Sequence, residues 1–514
     1  MKKLVAKLVV SVLMLGISNL VPAQVKKSYP VKRDEKPDTW EADGRRFAQQ
    51  SSRLKIKNRK AKNVILFIGD GMGISTITAA RILEGQMRGE SGEENSLSFD
   101  NFPFVALSKT YSANQQTADS APTASAMLTG LKTNEGTVSV NQNVRRGDYS
   151  NVKENSPKTF LEIAEQNGKS TGVVSTARLT HATPASTYSH SPDRNWESDY
   201  YVEKGSKVAF DAGFPDIARQ LIEFSYGDGV DVAMGGGRSM FMPSGAPDIE
   251  YGKSGEGNRL DKRDLTKEWL SKYKDSAYVW NKAQFDAIDT RKTKHLLGLF
   301  EPSHMQYSYD RKNDKAGEPS LSEMTTKAID ILSNNKKGYF LMVEGGRIDH
   351  AHHDGNAYRA LTDAIAFSDA IRAAVKKVNL NDTLIIVTAD HSHTFTIAGY
   401  PARGNNVLGL VRDVGDDGSV STEDAKDQNG KPYTTLGYRN GPGAVKKGKE
   451  VVLTDEITSN PDYKQDALNP LGAETHGGED VAIFAEGANA WLVHGVMEEN
   501  WIFHVMMQAS RMKQ

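Results

Sequence analysis

Carboxylates and imidazoles gather where this chain leaves its apolar runs. Asp70 follows NVILFIG, Glu344 closes GYFLMVE with Asp349 just beyond it, and Asp390 and His391 follow DTLIIVTA. A single acid at such a place would ordinarily cap the next helix. Three such places, with histidines attached, point instead to acids and imidazoles brought together around metal ions. In VEGGRIDHAHHDG, Asp349 and His353 stand four apart, so one helical turn puts both on one face, within reach of a single ion. His350 and His352 are further candidates. Asp390 and His391 would point to opposite faces of a regular strand and serve one ion only where the backbone turns. His476, in LGAETHGGED, precedes a glycine pair and is free to fold back onto the same edge.

The chain contains no cysteine in 514 residues, so any metal must be held by oxygen and imidazole. Such donors suit zinc, with magnesium where oxygens and water alone are supplied. Two ions roughly 4 Å apart clamp the entering and leaving oxygens of an in-line phosphoryl displacement and activate a hydroxyl or a water. TADSAPTASAMLTG offers the hydroxyl: Asp119 and Ser120 stand at a helix start and Gly130 where a left-handed cap would end it. The Ser120 hydroxyl then leaves a positive helix terminus, a place that favours an anion. No G-x-S-x-G elbow surrounds it, which leaves metal coordination as the economical route to an alkoxide. Arg194, in SHSPDRNWESD, is the candidate cation for the phosphate oxygens, because a guanidinium pairs two oxygens at once.

Elements of one kind must carry these groups to one edge. NVILFIG, STGVVST, VDVAMGG, GYFLMVEGG and DTLIIVTAD are apolar runs without alternation, separated by amphipathic stretches such as AYRALTDAIAFSDAIRAAVKKV. That pattern predicts an α/β fold with a mainly parallel central sheet covered by helices on both faces. Residues 1–23, with two lysines, an apolar run and a small-residue end, have the form of a signal peptide. Residues 24–62 form a polar N-terminal arm with a helix expected near Asp38 to Leu54. The α/β catalytic domain takes 63–398 and 473–514. Residues 399–472, rich in Gly, Asp, Asn and Pro with turn signals at Asp417-Gly418 and Asn429-Gly430, form an inserted subdomain of loops and hairpins. VAIFAEG returns to the main fold, and WLVHGVMEENWIFHVMMQAS is expected as a closing helix. A net charge of -1 shows no bias toward nucleic acid or an anionic membrane. The terminal HVMMQASRMKQ is too short and polar for an anchor tail. The expectation is a soluble periplasmic or secreted protein.

LFIGDGMG, ADSAPTASAMLTG, HATPASTYSHSPDRNW, VEGGRIDHAHHD, TADHSH and ETHGGED resemble, in that order, the motif series of alkaline phosphatases. The resemblance runs from about Lys62 to the C-terminal helix and is weakest in the inserted region, the counterpart of a crown-like subdomain. It implies a homodimeric, secreted phosphomonoesterase with two zinc ions and one magnesium, turning over small phosphate monoesters through a phosphoserine on Ser120. It makes Arg194 the phosphate clamp. Asp349, His353 and His476 become the ligands of one zinc, and Asp70, Ser120, Asp390 and His391 those of the other. Glu344, Thr183 and Asp70 become the oxygen ligands of the magnesium. His181 and His350, beside phosphate and magnesium, match the animal-type pattern. APDIEYG and GLFEPSHMQY resemble a peripheral calcium site of Glu250, the Phe300 carbonyl, Glu301 and Glu318, with a longer spacing to Glu318. The absence of cysteine and of a lipid-anchor tail fits bacterial export.

Other readings stay open on the residues alone. A sulfatase would carry C/S-x-P-x-R, and Ser120-Ala121-Pro122-Thr123-Ala124 begins that way but ends in alanine. A phosphodiesterase needs room for a second ester group. A non-catalytic phosphate- or metal-binding protein has no use for Ser120 beside ligands for two ions.

Overall fold

A computed structural model describes residues 25–33, 35–444 and 451–514. The expected signal peptide, 1–23, lies outside the described residues. Among the described residues fifteen strands follow in chain order: β1 Asn63–Gly69, β2 Phe104–Lys109, β3 Ser170–Arg178, β4 Val232–Gly236, β5 Ser276–Val279, β6 His295–Leu299, β7 Tyr339–Glu344, β8 Thr383–Ala389, β9 Ser392–His393, β10 Phe395–Ile397, β11 Leu436–Gly441, β12 Ala467–Pro470, β13 His476–Gly477, β14 Val481–Gly487 and β15 Gly495–Glu498.

Ten of them form one sheet in the order β15-β2-β14-β8-β1-β7-β3-β4-β6-β5. β14 alone runs against both its neighbours; every other pairing in this sheet is parallel. The apolar runs lack alternation because both faces are covered. Val64, Leu66 and Ile68 of β1 enter a core with the helices Ser120–Thr129, Phe160–Gln166 and Trp501–Ser510. Ile65 and Phe67 enter a second core with Ile74–Met87, Leu321–Leu332 and Ala357–Lys377.

β1 sits between β7 and β8, with Ile68 beside Glu344 and Gly69 beside Ala389. The residues that follow these strands therefore leave the sheet side by side at its carboxyl edge, where open α/β sheets bind their ligands. β9 and β13 form a separate two-stranded pair, in which His476 lies opposite His393. β10, β11 and β12 make a small sheet of their own, and the long stretch between β10 and β11 turns at Gly418 and Gly430, both at positive φ. The arm carries a helix over Pro37–Ser51, with no residue buried.

The closing segment differs from expectation. Only Trp501–Ser510 of it is α-helical, Trp491 and Leu492 lie in a 3-10 turn, and GVME is β15, an edge strand parallel to β2. The sheet edge offers those residues a hydrogen-bonding partner that an isolated periodic pattern does not reveal. Among the described residues, no helix is long and apolar enough to cross a membrane.

Candidate active site

Ser120 is the first residue of its helix. Asp119 stands at the N-cap and accepts from the Ala121 N–H, and Gly130 closes the helix at φ 81°. The serine side chain is buried, with Oγ 3.3 Å from Asp70 Oδ1 and 3.1 Å from His391 Nε2. Arg194 approaches from the loop after Ser191, donating from Nη1 to Asp119 and from Nη2 to His181 Nε2 at 2.9 Å. Burial pushes the Asp119 carboxyl up, but the Arg194 charge overrides it and holds that group at about 2.

Beyond the serine, Asp349 and His353 share one turn of the helix Arg347–His353. His353 Nε2 lies 3.3 Å and His476 Nε2 3.4 Å from Asp349 Oδ1, and the two imidazole nitrogens are 3.1 Å apart. Each ring turns its other nitrogen to a backbone carbonyl, His353 Nδ1 to Glu474 at 2.6 Å and His476 Nδ1 to Ala118 at 2.8 Å. Donation there leaves Nε2 with its lone pair toward the common centre. Three ligand atoms around a tetrahedral zinc are about 3.3 Å from one another, so the donor set fits that ion.

On the other side of Ser120, Asp390 and His391 leave β8 where the backbone turns. His391 Nε2 is 3.3 Å from Asp70 Oδ1 and 3.6 Å from Asp390 Oδ2, and the Gly71 and His391 N–H groups hold Asp390 Oδ1. Asp70 and Glu344 also lie with His181 in a third group, their ligand atoms within 4.8 Å of one another. Asp70 Oδ2, Asp390 Oδ2, Glu344 Oε1, Thr183 Oγ1 and His181 Nδ1 are all buried without a hydrogen-bond partner. Orphaned polar atoms are costly, and the four oxygens among them are what cations would satisfy; His181 Nδ1 carries the ring proton, because Nε2 accepts from Arg194. Burial, and then the neighbouring charge of Asp70, push Glu344 well above the carboxylate range and Asp390 up to about 7. Against burial, the Asp390 and Asp70 carboxylates raise His391 well above the imidazole range. Crowded acids of this kind call for positive charge between them.

His393 was not singled out by spacing. It joins Asp349, His353 and His476 in one group, but both its nitrogens face carboxylates: Nε2 meets Asp349 Oδ1 at 2.8 Å and Nδ1 meets Glu474 Oε2 at 2.5 Å. It holds the Asp349 carboxylate in place. His352 is engaged elsewhere, between Thr76 and Tyr438.

At the peripheral site the structure brings together a set that differs by one residue from the expected one. Glu250 and Glu301 group with Asp314, whose two carboxylate oxygens are buried without partners. Glu318 is buried close by but outside that group, where it accepts from the Gln306 N–H. The short 3-10 turn at Arg311–Asn313 brings Asp314 inward ahead of Glu318. Phe300 ends beside Glu301, just after β6.

A family model described as alkaline phosphatase matches residues 61–512. The chain belongs to the alkaline phosphatase family. It is 45% identical over 491 residues to the tissue-nonspecific alkaline phosphatase isozyme of Rattus norvegicus, covering 94% of this chain and 90% of that one. It is likewise 45% identical over 486 residues to the alkaline phosphatase of Gadus morhua, covering 93% and 98%. Among solved structures, the alkaline phosphatase from the Antarctic bacterium TAB5 shares the fold with a TM-score of 0.59 at 24% identity, over 89% of this chain and all of that one. Alkaline phosphatases are metal-dependent phosphoric monoester hydrolases, and the reaction class of this chain is theirs; the clustered acids and imidazoles are the metal-capable groups such chemistry requires.

Proposed function

We propose that the chain hydrolyses small phosphate monoesters through a covalent phosphoserine on Ser120, with two zinc ions and one magnesium. The carrying observation is the pair of donor sets that flank Ser120 Oγ, with nearest distances of 3.1 to 3.6 Å. Asp349, His353 and His476 would hold one zinc, Asp70, Ser120, Asp390 and His391 the other, and Asp70, Thr183 and Glu344 the magnesium. When bound, these ions lower the pKa of a hydroxyl or a water and take up charge on the entering and leaving oxygens. Arg194 pairs two non-bridging phosphate oxygens, fixed from behind by Asp119 and His181. Ser120 Oγ forms the new bond to phosphorus while the alcohol leaves, and water then cleaves the phosphoseryl ester with a second inversion. His181 and His350 line the phosphate and magnesium region.

A cavity of 430 Å³ lined by Gln115, Thr117, Asp119, His353, Glu474 and His476 leads to this site. Asp119, His353 and His476 stand in that lining, which supports recognition of the phosphate with the alcohol left in solvent. The peripheral carboxylates Glu250, Glu301 and Asp314, with the Phe300 carbonyl, would take calcium.

The arm helix supports a homodimer: Trp40 and Phe47 are 54% and 72% exposed on it, and an apolar face of that kind is covered by a partner copy. Export to the periplasm or medium is supported by the leader-like residues 1–23. We assign the catalytic domain to 63–398 and 473–514 and the crown-like insertion to 399–472.

The test is hydrolysis of p-nitrophenyl phosphate by metal-stripped protein resupplied with zinc and magnesium, for the wild type and Ser120→Ala together. Turnover that needs both the metals and Ser120 is expected. Metal-loaded protein that cleaves bis(p-nitrophenyl) phosphate but not the monoester would make it a phosphodiesterase.

A further inference from the structure

A row of side chains leads from Glu197 to the phosphate clamp through His304, a residue outside the ligand sets. Glu197 accepts two hydrogen bonds from Arg178, at 2.7 and 2.6 Å, and a third from Thr180 at 2.5 Å. Arg178 in turn brackets His304, its backbone N–H 3.1 Å from Nδ1 and its Nη1 2.6 Å from Nε2; the neutral ring accepts at one of the two nitrogens. The His304 ring packs against His350, with centroids 4.0 Å apart, and against the His181 ring edge-on at 5.2 Å. His181 is the acceptor for Arg194 Nη2.

The ring nitrogens of His181, His304 and His350 lie within 4.8 Å of one another, a spacing a cation could bridge. The surroundings argue for another role. Arg194, Arg178 and Arg347 each direct an N–H at one of the three rings. A metal-bound imidazole needs its second nitrogen to donate to an acceptor, and here guanidinium donors stand in that place. The three rings are instead neutral acceptors and spacers among arginines.

We propose that His304 is a positioning residue for phosphate binding: anchored by Arg178, it wedges His181 against Arg194 and so sets the direction of the clamp's guanidinium. The proposal rests on Arg194 being the clamp, as assigned above.

A double-mutant cycle tests it, with inhibition by inorganic phosphate and kcat/KM for p-nitrophenyl phosphate measured on wild type, His304→Ala, Arg194→Ala and the double variant. Expected is about tenfold weaker phosphate binding in His304→Ala when Arg194 is present, and no further loss when Arg194 is already gone. An equal loss in both backgrounds would mean general structural damage and overturn the proposal, as would full phosphate affinity in His304→Ala. If Arg194→Ala itself binds phosphate normally, the clamp assignment falls and the role of His304 with it, a result distinct from the other two. Should His304→Ala fail to fold, as judged by its melting curve, His304→Phe keeps a ring of similar size without nitrogens and carries the same cycle. It is expected to show a smaller loss with the same dependence on Arg194.

Discussion

Asp119 joins Arg194 to the first turn of the Ser120 helix: one carboxylate oxygen accepts from Arg194 Nη1 and the other from the Ala121 N–H at 3.5 Å. Asp119→Ala frees the guanidinium without touching a ligand or the serine. Loss of one charge-assisted hydrogen bond is worth about 1.5 kcal/mol, so inorganic phosphate should bind about tenfold more weakly, with kcat falling less than kcat/KM. A drop in kcat alone would show that Asp119 acts on Ser120 and not on Arg194.

His393 is a brace for Asp349, itself held by Glu474. Such outer partners typically contribute about 10- to 100-fold to metal affinity. His393→Ala should therefore lose zinc faster to a chelator, with zinc content and activity falling in parallel, while His393→Gln recovers part of the affinity. Unchanged zinc retention in both variants would remove the brace role.

At the periphery, burial followed by the adjoining Asp314 and Glu301 carboxylates raises Glu250 to about 7. A calcium ion bound there would relieve that crowding. At a hundredfold excess over its Kd, calcium should stabilise the wild type by about 2.7 kcal/mol, seen as a higher Tm, and Asp314→Asn should abolish most of the gain. Glu318→Gln should abolish less. The reverse order between these variants would make Glu318 the ligand and not Asp314.

Glu165 is buried between Thr171 and Asp231, far in sequence from the ligands, with one carboxylate oxygen lacking a partner. Burial, then repulsion from Asp231, raises its carboxyl to about 9. Since the folded state holds this proton more tightly than the unfolded chain, stability falls as pH rises from the ordinary carboxylate value toward 9, by up to about 1.4 kcal/mol per pH unit. Glu165→Gln should thus melt higher than the wild type at pH 9, with a difference that shrinks toward pH 5. Parallel melting curves at the two pH values would show that Glu165 ionises freely in the fold.

Much of this was legible in the sequence wherever the geometry is local. Asp349 and His353 lie on one helical turn, and Asp119 and Gly130 bound a helix by their own preferences, so their spacing suffices. Asp70, Glu344 and Asp390 share an edge because three buried parallel strands end in register. His393 has a signal that went unused: it stands two residues after His391, and period-2 spacing keeps it near the same cluster. His304, Glu474 and Asp314 have none, since loops of irregular backbone bring them in. GVME reads as helix in the sequence because only the open edge of β2 makes it a strand.

His476 reaches the cluster through a two-residue pairing with β9, close to the end of the chain, while Asp70 comes near its beginning. The catalytic set thus closes like a necklace whose clasp is made last. A nascent or truncated chain that stops before β13 carries Ser120, Arg194, Asp70 and Asp390 yet lacks the imidazole that pairs with His353. Long-range closure of this sort is slow relative to local helix formation, which makes the onset of turnover a natural stopwatch for the final step of folding.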